Sequence, residues 1–447
     1  MSTAREIMQA AHVGKTAIDV FESQVDQVRA GGSGMIHEAD ITPYNSPDLP
    51  SADPTDTDRA ALDTTAVIRL NGGLGTSMGM DRAKSLLPVR GELSFLDIMV
   101  RQILHLREAT GARLPLTFLH SFRTSADSLA ALAATPQITS SDVPVELYQN
   151  KVPKLRADDL RPVTWDADPD LEWCPPGHGD VYAVMHDAGF LDLLHDLGYR
   201  RVMIANSDNL GAVPDATMAG WFAGTGAPFA LEAVQRTDSD RKGGHFAVRN
   251  ADGRLILRET AQTPPDEVGD IDRHAYMSTN NLWFDVERMR EALRARNGNL
   301  SLPVIVNRKT VDPTDSDSPA VVQLETAMGA AIEVFDDATT VTVTRDRFIP
   351  VKTTDDLLLV RSDCYELTDD FRMARRFEVL PFVELSASYK TVSDFDARFP
   401  AGPPSMVGAT SLVVRGDWTF GGGVTVVGDV ELGPEGGRVP DGETIGG

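Results

Sequence analysis

The stretch Val67-Ile68-Arg69-Leu70-Asn71-Gly72-Gly73-Leu74-Gly75-Thr76-Ser77-Met78-Gly79 decides how the rest of the chain is read. A short apolar run opens straight into a loop with four glycines, and Lys84-Ser85 follow just beyond it. The apolar run reads as a strand buried on both faces, the kind found in parallel sheets. Gly72, Gly73, Gly75 and Gly79 permit positive φ and let backbone N–H groups come close to a ligand. Such donors suit a phosphate or a base edge, and Lys84 adds a point charge. An ordinary strand-to-helix turn is the plain alternative, but four glycines in one loop weaken a fold unless something uses them.

Two phosphate fingerprints are excluded by spacing. Gly73, Gly75 and Gly79 miss G-x-G-x-x-G by one residue, and no acidic residue closes the next strand at His120-Ser121-Phe122. Lys84 does not stand in G-x-x-x-x-G-K-[ST].

Downstream of the loop, Ser94 and Asp97 form a capping-box-like pair ahead of Leu96, Met99, Val100, Ile103, Leu104 and Arg107, with Gly111 as the stop. A second strand over Leu114–Leu119 follows at once. Strand, glycine loop, helix and strand begin a doubly wound α/β sheet, whose ligands sit at the carboxyl ends of its strands. The pattern continues with a helix over Ser125–Ala134 and a strand over Val145–Gln149. A helix running through Leu194 follows the loop Pro175-Pro176-Gly177-His178-Gly179-Asp180, and a buried strand covers Arg201–Ala205. Phe229–Arg236 and Phe246–Arg258 read as antiparallel, with Asp252-Gly253 as a hairpin turn. A strand starts at Asn280, a helix is expected over Val321–Phe335, and Thr340–Thr344 alternates as a half-exposed strand. The sheet is therefore mixed.

The two ends of the chain differ from this core. Ile7, Met8, Ala11, Ile18, Phe21, Val25 and Val28 approach helical spacing up to Gly31-Gly32. Asp40–Asp63, with Pro43, Pro47, Pro50 and Pro54, is a wandering connector. Near the other end, Gly416-Asp417-Trp418-Thr419-Phe420-Gly421 recurs in outline as Gly428-Asp429-Val430-Glu431-Leu432-Gly433, an offset of 12 residues. Valine-rich strands with Gly-Asp corners at a fixed interval point to coils of a β-helix, with a single hairpin as the alternative. The expected division is residues 1–63, 64–345 and 346–447.

A chain of 447 residues has room for two or three domains, and its 42% hydrophobic and 24% charged composition is that of a globular protein. The formal charge of −24 opposes non-specific binding to nucleic acid or anionic lipid. Two cysteines, Cys174 and Cys364, make neither a disulfide scaffold nor a CxxC site. No signal-peptide pattern and no membrane-spanning run is present, so a cytoplasmic location is expected.

Three positions carry chemistry beyond the glycine loop. Asp208, in Asn206-Ser207-Asp208-Asn209 just past a buried strand, is placed to ligate Mg²⁺, which takes one or two carboxylates and completes its shell with phosphate and water. A turn-forming Asx cluster is the plainer meaning of that tetrapeptide. His178, between glycines ahead of a helix, is placed to donate to a sugar or phosphate, although a lone His is usually structural. Lys352 stands where a strand ends and a helix begins. Thr353 or Thr354 can cap that helix, leaving its amides and Lys352 facing one anion; a solvated lysine is the alternative.

Taken in order, these residues resemble the UTP–glucose-1-phosphate uridylyltransferase (UDP-glucose pyrophosphorylase) family of eukaryotic type, over about Ile41–Gly433. The likeness rests on LNGGLGTSMG at Leu70–Gly79 with Lys84-Ser85, PPGHGD at Pro175–Asp180 and NSDNLGA at Asn206–Ala212. It continues through KGG at Lys242–Gly244, TNNLW at Thr279–Trp283, QLETAMGAAI at Gln323–Ile332 and PVKTTDDLLLV at Pro350–Val360. The resemblance implies a doubly wound mixed sheet of the nucleotidyltransferase type (Rossmann-like, GT-A-like) with a C-terminal left-handed β-helix. It implies transfer of the uridylyl group of UTP to glucose 1-phosphate, with Mg²⁺ as cofactor.

By position, the resemblance gives Gly72, Gly73, Leu74 and Gln149 to uracil, and Leu70, Asn71, Gly177 and Asn206 to the nucleotide. Lys84 falls to the UTP phosphates, His178 and Asn281 to the sugar phosphate, Asp208 to Mg²⁺, and Lys352 to catalysis and the sugar phosphate. Ala83 departs from the proline usual before the loop lysine, which would loosen that turn.

Glucose 1-phosphate is already an anion at neutral pH, so its attack on the α-phosphorus needs no general base. The expected mechanism is a single in-line displacement with Lys84 and Lys352 on the phosphates. Rival readings are the same chemistry on galactose 1-phosphate or N-acetylglucosamine 1-phosphate, and a scaffold without turnover. An acyltransferase would need more than two coils to build its cleft. Those coils are better suited to joining subunits, so oligomerisation through the C-terminal segment is expected.

Overall fold

Four parallel strands carry the elements that matter for function, and their order follows from burial. In the strand Arg201–Asn206, Val202, Met203, Ile204 and Ala205 are all fully buried, as a strand covered on both faces must be. It pairs in parallel with Thr65–Asn71, Asn206 lying opposite Leu70. Thr65–Asn71 pairs in parallel with Leu116–His120, and that strand with Glu146–Tyr148. All four carboxyl ends therefore face one edge, where Asp208, Gly72, Ser121 and Gln149 emerge. Antiparallel pairing of Tyr276–Asp285 with both Arg201–Asn206 and Phe229–Gln235 extends this core into a mixed 10-stranded sheet.

The computed structural model describes residues 3–32, 34–45, 51–52, 57–139, 142–237, 240–241 and 243–447. Pro47, Pro50 and Pro54 of the connector, and Lys242 of the KGG motif, lie outside the described residues. No helix among the described residues is long and apolar enough to cross a membrane.

The helix Phe95–Thr110 begins at the Ser94–Asp97 capping box and ends at Gly111 with φ +72°. His245–Arg249 and Leu255–Arg258 form the antiparallel pair, with Gly253 at φ +70° between them. The N-terminal apolar stripe is two helices, Ala4–Ala10 and Lys15–Arg29, broken where His12 takes φ +58°. Their apolar face packs on Val152, Leu155, Val322 and Leu324. Gly189, at φ +61°, likewise divides the helix expected to run through Leu194 into Val181–Asp187 and Phe190–Asp196.

Val321–Phe335 is not a helix. Ala320–Glu325 is a strand paired antiparallel with Ile305–Thr310, and a 3₁₀ turn, Met328–Val334, follows. The β-branched Val321-Val322 pair, two residues after Pro319, suits a strand, and the apolar run that follows is buried without completing an α-helix.

At the C-terminal end, Phe382–Leu385, Ser405–Val414, Thr425–Leu432 and Thr444–Gly446 form one parallel sheet, and Trp418–Phe420 pairs in parallel with Gly437–Val439. Parallel pairing excludes a hairpin. Leu412 lies opposite Val430 and Trp418 opposite Gly437, offsets of 18 and 19 residues. The 12-residue recurrence of Gly-Asp is thus not the interval at which strands stack: Gly428 faces Ala409, not Gly416. Leu412, Val414, Phe420 and Val426 belong to the same buried cluster as Tyr389, Phe399 and the sheet-covering Met99 and Ile103.

Candidate active site

At the carboxyl edge of the four parallel strands, Asp208 is held between two lysines. Lys84 Nζ donates to its Oδ2 at 2.9 Å and Lys352 Nζ to the same oxygen at 3.0 Å. Burial alone would raise the carboxyl's pKa, but the two ammonium groups outweigh it and hold the group below its ordinary value. Asp208 is therefore an anion at neutral pH. Its other oxygen, Oδ1, is buried without a hydrogen-bond partner.

Each lysine is placed by backbone. Lys84 follows the glycine loop, its N–H donating to the Gly73 carbonyl at 3.1 Å, and its Nζ also donates to the Val351 carbonyl. Ala83 ahead of it has φ −52°, inside the range a proline would impose, so the backbone follows the proline-like path without the ring. Lys352 precedes the helix Thr354–Arg361, capped by a Thr353–Asp356 box. The N–H groups of Lys352 and Thr353 both donate to Asp356 Oδ2, at 2.7 and 2.9 Å, so the acceptor they face is the helix's own carboxylate. The lysine side chain is what that helix start offers.

The glycine loop, Gln149 and the Pro175–Asp180 loop form a second, adjoining wall. Within the glycine loop, positive φ is used only at Gly75 (+65°) and Gly79 (+72°). Gly72 is needed for space instead, since a Cβ there would stand 2.5 Å from Gln149 Oε1. Gln149 Nε2 donates to the Gly177 carbonyl at 2.9 Å, and Ser121 Oγ donates to the Gly72 carbonyl at 2.8 Å. Gly177 has φ +81°, and a Cβ on it would stand 2.7 Å from the Thr326 amide nitrogen. Gly179 N–H donates to the Thr326 carbonyl and Thr326 N–H to the Pro176 carbonyl, joining this loop to the segment after Ala320–Glu325. Gly73 is open where a Cβ would project, and Leu74 is buried.

His178 accepts the Met328 N–H on Nδ1 at 3.0 Å. Burial, aided by Lys352, lowers its pKa to about 4. The ring is therefore neutral at physiological pH with its proton on Nε2, making it a hydrogen-bond donor and not a base.

His178, Asn206, Asn280, Glu259, Lys352 and Phe382 line a cleft of about 800 Å³. Asn281 is not among them. It is fully buried, its Nδ2 donating to Glu232 Oε2 at 3.0 Å and its Oδ1 accepting from Asn209 at 3.2 Å. The side chain at the cleft is its neighbour Asn280, turned by φ +60° and donating to Asn206 Oδ1 at 2.9 Å. Asn71 is also internal, bridging Ser128 and Ser207. Leu70 is half-buried at the end of its strand.

Several groups at the site carry no local motif. Arg69, fully buried, donates to the carbonyls of Asn206 and Asn209 at 3.3 Å each and to that of Ala212, holding the Asp208 loop. Arg347 ties Glu232, Asp215 and the Val213 carbonyl together behind it. Glu259 is pushed by burial up to about 7 and lies beside Gly244, where a Cβ would meet its Oε2 at 2.9 Å. An arginine in a strand and a glutamate at a strand end gave no periodic or motif signal.

An α/β sheet that presents a glycine loop, a carboxylate and two converging lysines at its carboxyl edge defines a nucleotidyltransferase-like protein. Residues 18–427 match the family model described as UTP–glucose-1-phosphate uridylyltransferase. The potato (Solanum tuberosum) enzyme of that name is 37% identical over 417 residues, covering 91% of this chain and 84% of its own. The barley (Hordeum vulgare) enzyme is 36% identical over 416 residues, covering 91% and 85%. Among solved structures, UDP-glucose phosphorylase from Trypanosoma brucei superposes with a TM-score of 0.92 at 40% identity, covering 99% of this chain and 98% of that one. A mutant UDP-glucose pyrophosphorylase from Leishmania major in complex with UDP-glucose gives 0.92 at 38%, covering 99% and 98%. The chain belongs to the UTP–glucose-1-phosphate uridylyltransferase family.

Proposed function

We propose that this enzyme makes UDP-glucose and pyrophosphate from UTP and glucose 1-phosphate by Mg²⁺-assisted in-line displacement at Asp208, Lys84 and Lys352. The activity is that of its family, a nucleotidyltransferase. The observation that carries the mechanism is the single carboxylate oxygen shared by two lysines from distant parts of the chain.

The uracil lies against Gly72, Gly73 and Leu74. Its N3–H needs an acceptor, which Gln149 Oε1 supplies while Nε2 is held by Gly177. Leu70, Asn71 and Asn206 shape the nucleotide floor from behind. The sugar phosphate occupies the neighbouring cleft, where His178 Nε2–H and Asn280 donate to it in place of the buried Asn281. The phosphate of glucose 1-phosphate attacks the α-phosphorus, a new P–O bond forms, and the bond to the β-phosphate oxygen breaks. Lys84 and Lys352 leave Asp208 for the phosphates and stabilise the spreading negative charge.

The residues fit Mg²⁺ held by one carboxylate. Among the described residues no three His, Cys, Asp or Glu side chains gather into a metal cage, while Asp208 Oδ1 is buried without a partner. Mg²⁺ that keeps several waters and takes substrate phosphates needs no more from the protein. When bound, it neutralises charge on the reacting phosphates.

A pyrophosphate-release assay with UTP against a panel of sugar 1-phosphates tests this reading. Release with glucose 1-phosphate is expected; release only with galactose 1-phosphate or N-acetylglucosamine 1-phosphate would reassign the substrate, and none with any sugar would favour a scaffold.

Glu259 gives a pH signature. Ionised, it is the stronger acceptor for a sugar hydroxyl, and its folded pKa of about 7 is above the ordinary 4.5. UDP-glucose affinity should therefore rise from pH 6 to pH 8. Its effect on folding has the opposite sign: the burial favours folding below about pH 4.5 and loses that contribution as pH rises through 7. In Glu259→Gln the affinity should become flat over pH 6–8, as titration calorimetry would read; an unchanged slope would remove Glu259 from the sugar site.

The stacked parallel strands at the C-terminal end are best read as a short left-handed β-helix that joins subunits. Deleting the residues after Ala401 should reduce the number of subunits per particle in light scattering; an unchanged number would overturn that role. Two unpaired buried cysteines fit work in the reducing cytoplasm.

A further inference from the structure

The reaction requires Asp208 and Lys352 at one site, yet they come from segments 144 residues apart. Lys352 is reached after Arg345–Arg347 and the extended Phe348–Val351, a stretch without regular structure to fix it. Lys84 Nζ holds the Val351 carbonyl and Asn281 Nδ2 donates to that of Arg347 at 3.3 Å, but the residue immediately after Asp208 pins the stretch at the most points.

Asn209 is 1% exposed and uses its whole side-chain amide. Its Oδ1 accepts the Ile349 N–H at 2.8 Å and the Gly211 N–H at 3.2 Å. Its Nδ2 donates to the Arg347 carbonyl at 3.1 Å and to Asn281 Oδ1 at 3.2 Å. The Asn209 backbone forms an isolated antiparallel bridge with Pro350. Two of the four side-chain contacts reach the segment that leads to Lys352, one turns the Asp208 loop back at Gly211, and one anchors on the central sheet.

We propose that Asn209 is a positioning residue that holds the Lys352 segment at the distance from Asp208 needed for phosphate transfer. The inference rests on the mechanism given above and goes beyond it, because Asn209, at the inner wall of the cleft, spends its whole side-chain amide on protein groups. Only an amide fits. Asp at this position keeps both acceptor contacts but loses both donors and turns an anion toward two oxygens; Ala loses all four contacts. The consequence is specific: Asn209 acts through the lysine, so its loss should matter only while the lysine is present.

The test is a double-mutant cycle on the full chain. Turnover is measured for wild type, Asn209→Ala, Lys352→Ala and the double variant, with KM for UTP followed in each. Asn209→Ala should lower kcat at least about 30-fold in the wild-type background, less than about 3-fold in the Lys352→Ala background, and leave KM for UTP within about 3-fold. Equal losses in both backgrounds, or a loss confined to KM, would overturn the proposal. If the alanine variant fails to fold, Asn209→Asp takes its place in the same cycle, with the same two outcomes. Wild type without turnover overturns the underlying mechanism instead, so the two failures are distinct.

Discussion

Lys352→Ala should lower turnover by at least about 10²-fold while the protein stays folded. One charged contact made to a transferring phosphoryl group in the transition state is worth roughly 3 kcal/mol, which sets that factor. The side chain is 58% exposed, so its ion pair with Asp208 is well solvated and contributes little to folding. The backbone contacts that hold the segment belong to Asn209, Lys84 and Asp356 and survive the substitution. Thermal unfolding should therefore change little while kcat collapses. Turnover equal to wild type would take Lys352 out of the mechanism, whatever happens to stability.

Asp208→Asn is the second large effect, and it acts differently. The amide keeps the shape of the carboxylate but removes the charge that both lysines share and that a metal would need. The Mg²⁺ concentration for half-maximal rate should rise at least about 10-fold, the low end of what losing a metal-supporting group costs. Because Asp208 is buried and its ion pair with Lys84 is shielded, some loss of stability is also expected here, in contrast to Lys352→Ala. A metal titration that coincides with wild type would sink the ligand assignment.

Much of this site was legible in sequence because its parts are short and chemically loud. Gly72-Gly73-Leu74 and Asp208 stand on loops at strand ends, and Lys84 and His178 each open a short 3₁₀ turn beside glycines, where local composition carries the message. What was not legible depends on register or on distance. Asn280 and Asn281 differ only in which side of the strand they face, and the positive φ that turns Asn280 toward the cleft leaves no mark in composition. Arg69 looks like a polar intruder in an apolar run; its meaning lies in three carbonyls more than 130 residues away. The run from Val321 has helical apolar spacing yet forms a strand and a 3₁₀ turn, because apolar periodicity cannot separate a buried strand and turn from a helix. The 12-residue echo of Gly-Asp marked real corners but not the 18- and 19-residue stacking interval, which only strand pairing defines.

The three charges at the centre are separated along the chain by 124 residues (Lys84 to Asp208) and 144 residues (Asp208 to Lys352). Contacts of such range form late, since the loops they close must be ordered first. During synthesis the nascent chain carries the nucleotide wall and Asp208 long before the second lysine leaves the ribosome. A refolding time course should accordingly recover UTP binding before it recovers turnover, with the delay measuring the docking of the segment that follows Arg347.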